Sequence, residues 1–237
     1  MRIVSIALVA LLFTFVACAK KEEGKLSLRK PQWADGEVTN YDLSVAGESV
    51  GSLIYTIRET ETNGEKSYEV DILTTMEGTT DHSVVTIRRD GLKPLREART
   101  LETQGGKYII FANYTHDKVS IEANTPQGKK STDLPIPENA FDNEVITLVL
   151  RTIPFKEGFK ASLTSVAPIS AVTVPIDVEV LGSEKITVSA GDFDCQKVKM
   201  KLAGRGIFIW YERNVPQRMI KYEDAQTGVT MSLTAGE

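Results

Sequence analysis

From about residue 40 onward, apolar and polar residues alternate with the period of two that marks a strand with one buried face. Tyr68, Val70, Ile72, Thr74 and Met76 interleave with Glu69, Asp71, Leu73, Thr75 and Glu77. Leu53, Tyr55 and Ile57 repeat the pattern, as do Val119, Ile121 and Ala123, and again Val198, Met200 and Leu202. Turn signals separate the runs: Asn63-Gly64, Asp90-Gly91, Gly105-Gly106, Gln127-Gly128, Gly182-Ser183 and Gly204-Arg205-Gly206. Asn-Gly between alternating runs is a strong hairpin signal, because both central residues of the turn must adopt positive φ. About a dozen short strands at this spacing, with no βαβ alternation, predict an all-β, mainly antiparallel fold: a sandwich, a barrel or a strongly curved, open barrel-like sheet.

One segment breaks the period. Asp142 or Asn143 can cap a short amphipathic helix near 142–153, with Val145, Leu148, Val149 and Ile153 on one face and Pro154 as its stop. A single such helix is expected to cover an open sheet face or plug a barrel end. Ile207-Phe208-Ile209-Trp210-Tyr211 is apolar on both faces, so that strand should be covered on both sides, with the helix as one cover.

The N-terminal residues follow another rule. Arg2 precedes a nearly unbroken apolar run over residues 3–16, shorter than the ~20 residues a membrane span needs and suited to a secretory h-region. The run ends in Phe15-Val16-Ala17-Cys18, which resembles a bacterial lipobox: apolar residues, a small residue and then the cysteine, although Phe15 replaces the usual leucine. The resemblance implies a signal peptide over 1–17, cleavage between Ala17 and Cys18, and lipidation of the Cys18 thiol. A plain signal peptide with an incidental cysteine is the alternative. Ala19, where an aspartate would retain the protein in the inner membrane of enteric bacteria, favours the outer membrane. Residues 18–31 read as a polar, basic tether, and 32–237 as a single β-rich domain or two β lobes joined near the helix.

The chain has 237 residues and a formal net charge of -4, without the concentrated basic face of a nucleic-acid binder. With Cys18 acylated, Cys195 is the one remaining cysteine, so no intrachain disulfide is expected, and Cys195 reads as a small strand residue. Gly47-Glu48-Ser49-Val50-Gly51 is a literal G-x-S-x-G, and Asp71 or Asp81 with His82 or His116 follow in hydrolase order. The elbow of α/β-hydrolases joins a strand to a helix, whereas here strands flank both sides, so Ser49 is expected in a hairpin turn. Neither histidine has a metal-ligand frame, and Asp192-Phe193-Asp194 lacks the further carboxylates of a calcium site. No metal, nucleotide or other cofactor is expected. Trp33 and Trp210 are candidates for stacking a ligand, with core packing as the ordinary role for Trp210.

The C-terminal half carries a family resemblance. Ser189-Ala190-Gly191-Asp192-Phe193-Asp194-Cys195-Gln196-Lys197-Val198 resembles the V-P-A-G-x-F-x-x-x-K-V segment of the bacterial domain of unknown function 3108. Tyr41-Asp42-Leu43-Ser44-Val45 with Gly51, Asp90-Gly91-Leu92-Lys93-Pro94, residues 150–158, Ile209-Trp210-Tyr211 and Val215-Pro216-Gln217-Arg218 follow in the family's order. The resemblance implies an exported β-rich domain and transfers no catalytic residue. Arg151 stands out within it: buried, it would pair with a sheet carboxylate; exposed, it would be a helix C-terminal charge.

The resulting expectation is a lipid-anchored protein of the bacterial envelope, at the outer membrane facing the periplasm. Its domain would bind an apolar or amphipathic envelope ligand such as a lipid. The alternative is a scaffold or assembly accessory that binds envelope proteins through an exposed apolar patch or a free strand edge. A Ser49 hydrolase comes last.

Overall fold

The computed structural model describes residues 26–235. The alternating runs form fifteen strands. The first eight are β1 (Glu37–Val45), β2 (Glu48–Thr62), β3 (Glu65–Met76), β4 (Thr79–Arg88), β5 (Pro94–Thr103), β6 (Gly106–Tyr114), β7 (Lys118–Thr125) and β8 (Gly128–Pro135). After the three-residue β9 (Ala140–Asp142) come β10 (Lys160–Ala167), β11 (Val172–Val188), β12 (Gly191–Leu202), β13 (Arg205–Glu212), β14 (Met219–Asp224) and β15 (Val229–Leu233). They make one sheet in the order β8-β7-β6-β5-β4-β3-β2-β1-β15-β14-β13-β12-β11-β10-β9, which does not close. The expectation of an all-β, mainly antiparallel, open barrel-like sheet holds.

Register explains the core. Tyr41 on β1 lies opposite Leu53, Leu53 opposite Thr74, Tyr55 opposite Ile72 and Ile57 opposite Val70, so the predicted inward residues form rows across neighbouring strands. Tyr41 also faces Leu233, and that β1–β15 pairing joins the two halves of the chain. One large apolar core spans the inner face of β1 to β4 and of β10 to β15, and a smaller one gathers Ile110, Ala112, Val119 and Ile121 with Ala140 and Val166. At the end of β3 the alternation stops predicting burial, since Met76 is exposed beside the turn.

Three features depart from the sequence reading. The helical segment is a 3-10 turn (Asn143–Val145) followed by a five-residue helix, α1 (Ile146–Leu150), and it is not amphipathic. Val145, Ile146, Leu148, Val149, Leu150 and Ile153 are all 4% exposed or less. A helix apolar on nearly all sides belongs inside, and α1 is a plug within the curved sheet. Its one polar residue, Thr147, meets the Tyr55 hydroxyl at 3.4 Å, and its carbonyl accepts from the Tyr211 hydroxyl at 2.7 Å. Second, β9 and β10 pair in parallel, so the segment carrying α1 is a crossover of the kind that parallel neighbours require. Third, Gly182-Ser183 is no turn: it lies inside the 17-residue β11, where the register shifts between Val180 and Gly182 in a β-bulge.

The covering of β13 follows expectation on one face. Tyr211 reaches α1, while outward-facing Trp210 is covered by charged side chains in place of a second layer, with Lys197 at 4.7 Å and Lys221 at 5.1 Å from its ring centre. Residues 26–31, assigned to the tether, lie along the body: Leu26 and Leu28 pack on the main core, and the Arg29 amide donates to the Thr152 carbonyl at 2.7 Å. Ala17, Cys18 and the signal peptide fall outside the described residues.

Candidate functional site

Where residues 26–31 meet the β4–β5 turn and the segment before β9, the surface opens into a groove of about 1560 Å³. Leu92 and Phe141, each 1% exposed, form its floor, and Leu26 and Leu28 line a wall. Six cationic residues surround it (Arg29, Lys30, Lys66, Arg88, Arg89 and Lys93) against three carboxylates (Glu65, Asp90 and Glu138). This local positive excess stands out in a chain of net charge -4. Arg88 is paired with Glu65 and Arg89 with Glu59, both at 2.9 Å.

Lys93 differs. Its ammonium donates to the carbonyl oxygens of Glu138 at 2.5 Å and Ala140 at 3.3 Å, and lies 3.9 Å from the centre of the Phe141 ring. No carboxylate of the described residues comes within ion-pair distance. Burial pushes its pKa down to about 8, opposed in part by Glu138. A half-buried cation held by neutral groups over an apolar floor can receive an anion whose attached chain lies along that floor.

A second cluster lies behind the groove. Glu97 on β5 is 1% exposed, and neither of its carboxylate oxygens has a hydrogen-bond partner among the described residues. Asp142, the last residue of β9, is fully buried and accepts from the Tyr114 hydroxyl at 2.5 Å and the Glu144 amide at 2.9 Å. Arg99 serves Asp81 at 2.5 Å and Glu144 at 2.7 Å. Burial, reinforced by neighbouring carboxylates, raises the pKa of Glu97; burial also raises that of Asp142, which the Tyr114 hydroxyl opposes. Sequence reading saw Asp142 only as a cap and passed over Glu97, because Leu95-Arg96-Glu97-Ala98-Arg99 carries charge on both strand faces.

The other sequence candidates are dispersed. Ser49 is not in the turn as expected: the turn is Ala46-Gly47, and Ser49 is the second residue of β2, donating to Asp42 at 2.5 Å. His82 meets Asp71 at 3.0 Å. By register His82 lies two strands across and five residues along from Ser49, roughly 15–20 Å at ordinary strand spacings. His116 is in the β6–β7 turn, so nothing resembling a triad is assembled. The glycines of the G-x-S-x-G string have backbone duties: Gly47 sits at φ +88°, and a Cβ on Gly51 would collide with the Thr75 carbonyl oxygen. Asp192 accepts from Thr187 at 2.6 Å, and among the described residues no group of three or more His, Cys, Asp or Glu is placed to hold a metal.

Both tryptophans are occupied by the protein itself. Trp33 is buried against Tyr68, with ring centres 4.9 Å apart, and Trp210 donates its indole N–H to Glu184. Cys195 is fully buried, as expected of a strand residue, and burial pushes its thiol up to about 12. Arg151 takes the buried alternative: it pairs with Glu37 of β1 at 2.8 Å, donates to the Pro216 carbonyl at 2.8 Å, and lies over Trp33.

An open, curved antiparallel sheet plugged by one short helix defines a β-barrel-like protein. Residues 40–234 match the family described as "Protein of unknown function (DUF3108)", and the chain belongs to that family. Among solved structures it is similar to a β-barrel-like protein of domain of unknown function DUF1849 from Brucella abortus. That likeness has a TM-score of 0.57 and 11% identity, covering 88% of this chain and 98% of that one. It supports the fold alone. A Bacteroides fragilis protein with a YmcC-like fold matches at a TM-score of 0.37 and 14% identity, covering 88% of this chain and 99% of that one, and adds nothing to the fold assignment. No curated protein matches the chain. Among the described residues no helix is long and apolar enough to cross a membrane.

Proposed function

We propose that this protein is a lipid-anchored component of the bacterial envelope that holds an anionic amphiphile in the groove beside Lys93. The lipobox-like run ending at Cys18, with Ala19 after it, supports anchoring at the outer membrane facing the periplasm. One observation carries the ligand reading: an apolar floor of Leu92 and Phe141 under a cation that no carboxylate of the described residues pairs with. The groove begins where residues 26–31 join the body, eight residues from Cys18, so its mouth would lie within roughly 30 Å of the bilayer.

Scaffolding by strand addition is less well supported. The free edge strand β8 is exposed along nearly its whole length, polar, and armed with Lys129 and Lys130, a composition that discourages pairing with another chain.

The test is displacement of a fluorescent fatty-acid probe from the purified full-length protein. Lysophosphatidylglycerol should compete at least about tenfold better than zwitterionic lysophosphatidylcholine, the equivalent of one charge-assisted contact. Lys93→Met should erase that preference while leaving the neutral competitor unchanged. Failure of every amphiphile to bind, or equal competition by both headgroups, would refute the reading. In cells, Cys18→Ser should release the protein from the membrane fraction.

A further inference from the structure

We propose that Glu97 and Asp142 together form a buried proton-binding site that latches β9 and the turn into α1 against the sheet, with loss of the proton unfastening that segment.

The argument begins with where the acids sit. Asp81 and Glu97 belong to the sheet, on β4 and β5, whereas Asp142 and Glu144 belong to β9 and the 3-10 turn. The two pairs face each other across the joint between segment and sheet. The groups turned toward that joint are Asp81 and the Ser83 hydroxyl from β4, Glu97 and Arg99 from β5, and Tyr114 from β6. From β10, Ser165 engages Asn143 at 3.1 Å. Four carboxylates therefore share one cation. Arg99 Nη1 approaches Glu97 only to 4.0 Å, too far for a hydrogen bond, because Asp81 and Glu144 already hold the guanidinium. An ionised carboxylate that is buried and unpartnered is too costly to persist, so Glu97 keeps a proton, and ionising it sets like charges across the joint.

The strand that carries Asp142 has little backbone pairing, although Ala140 and Phe141 are buried and Asn139 and Asn143 bond to β10. β9 has three residues and pairs only with β10, in parallel, at the sheet's edge. One residue before Asp142, Phe141 forms part of the groove floor under Lys93. The latch and the groove are two sides of one short strand.

The sign follows from linkage. The docked segment binds the shared proton more tightly than an opened one, whose carboxylates return to their ordinary range. Docking is therefore fully supported below the ordinary carboxylate range, and that support is lost as pH rises through the raised range. The opening constant should grow by up to about tenfold per pH unit between the two. Only the further step, from latch to ligand affinity, rests on the groove being a ligand site.

Hydrogen exchange read by mass spectrometry tests the latch, using full-length protein in phosphatidylcholine nanodiscs without added ligand. Once corrected for the intrinsic pH dependence of exchange, protection of residues 140–150 should fall at least about tenfold from pH 5.5 to pH 8, while β2 and β3 stay protected. Glu97→Gln should flatten the fall, leaving only the part that buried Asp142 contributes. Tyr114→Phe, which removes the donor favouring ionised Asp142, should move the loss to higher pH. Unchanged protection in the wild type, equal loss in Glu97→Gln, or uniform loosening of the whole sheet would overturn the latch. A second arm measures lysophosphatidylglycerol, whose phosphate stays ionised over this range. Its affinity should fall further with pH in the wild type than in Glu97→Gln. If the exchange result holds and affinity does not follow, the coupling to the groove is wrong and the latch remains. If no amphiphile binds at all, the groove reading fails by itself.

Discussion

Replacing Arg151 with methionine, while leaving Glu37 in place, isolates the ion pair that ties the end of α1 to β1. The side chains are 2% and 9% exposed and meet at 2.8 Å, and Arg151 also supports the Pro216 carbonyl. Removing one member of a buried pair strands the other charge, at a cost of about 3–5 kcal/mol. In a domain of this size each kcal/mol corresponds to about 2–4 °C, so Arg151→Met should lower Tm by about 6–20 °C. The pair is imperfect, since Arg151 Nε and Glu37 Oε2 have no hydrogen-bond partner. Removing both charges, in Arg151→Met with Glu37→Met, should therefore recover most of the loss, with a coupling of about 2 kcal/mol or more. Urea and thermal melts followed by near-ultraviolet circular dichroism at pH 7 would measure all four corners of the cycle. Single losses below about 1 kcal/mol that add in the double variant would refute the claim that this pair fixes the plug.

Gly51→Ala should destabilise the protein by about 1–3 kcal/mol despite its exposed surroundings, because the added Cβ collides with the Thr75 carbonyl and pushes β2 from β3. Ser49→Ala, two residues away, should cost under about 0.5 kcal/mol, and equal costs in urea melts would contradict the backbone account of the motif. Cys195, buried with its thiol pushed up to about 12 by burial and then by the neighbouring carboxylates Glu212, Asp194 and Glu184, should resist maleimide at pH 7.5 until the protein unfolds. Rapid labelling of Cys195 in native protein, read by mass spectrometry, would show that the sheet opens there.

Sequence legibility varied with how local the cause was. The strand period, the Asn63-Gly64 hairpin, the turn signal at Gly204 and the inward rows of Tyr55 and Val70 depend on neighbours along the chain or one strand away, although Arg205 and Gly206 of that signal lie in β13 and the turn is Ala203-Gly204. Gly182 misled because glycine serves a turn and a bulge equally, and the choice lies with β12, the partner strand. The helix was placed correctly and misjudged in kind: Ile146, Leu150 and Thr147 fill the faces that a surface helix would leave to solvent, which reveals a plug only once the sheet surrounds it.

By itself, the sequence determined an alternating, turn-punctuated chain, because period and turn chemistry are local. Tertiary structure alone decided that Glu97, Asp142 and Arg99 would meet, that Lys93 would lie over Phe141 on the carbonyls of Glu138 and Ala140, and that Arg151 would find Glu37 from 114 residues away. Those encounters depend on the sheet's curvature and on β9 returning to its edge beside β10. Charge burial follows from that three-dimensional closure, and no periodicity along the chain encodes it.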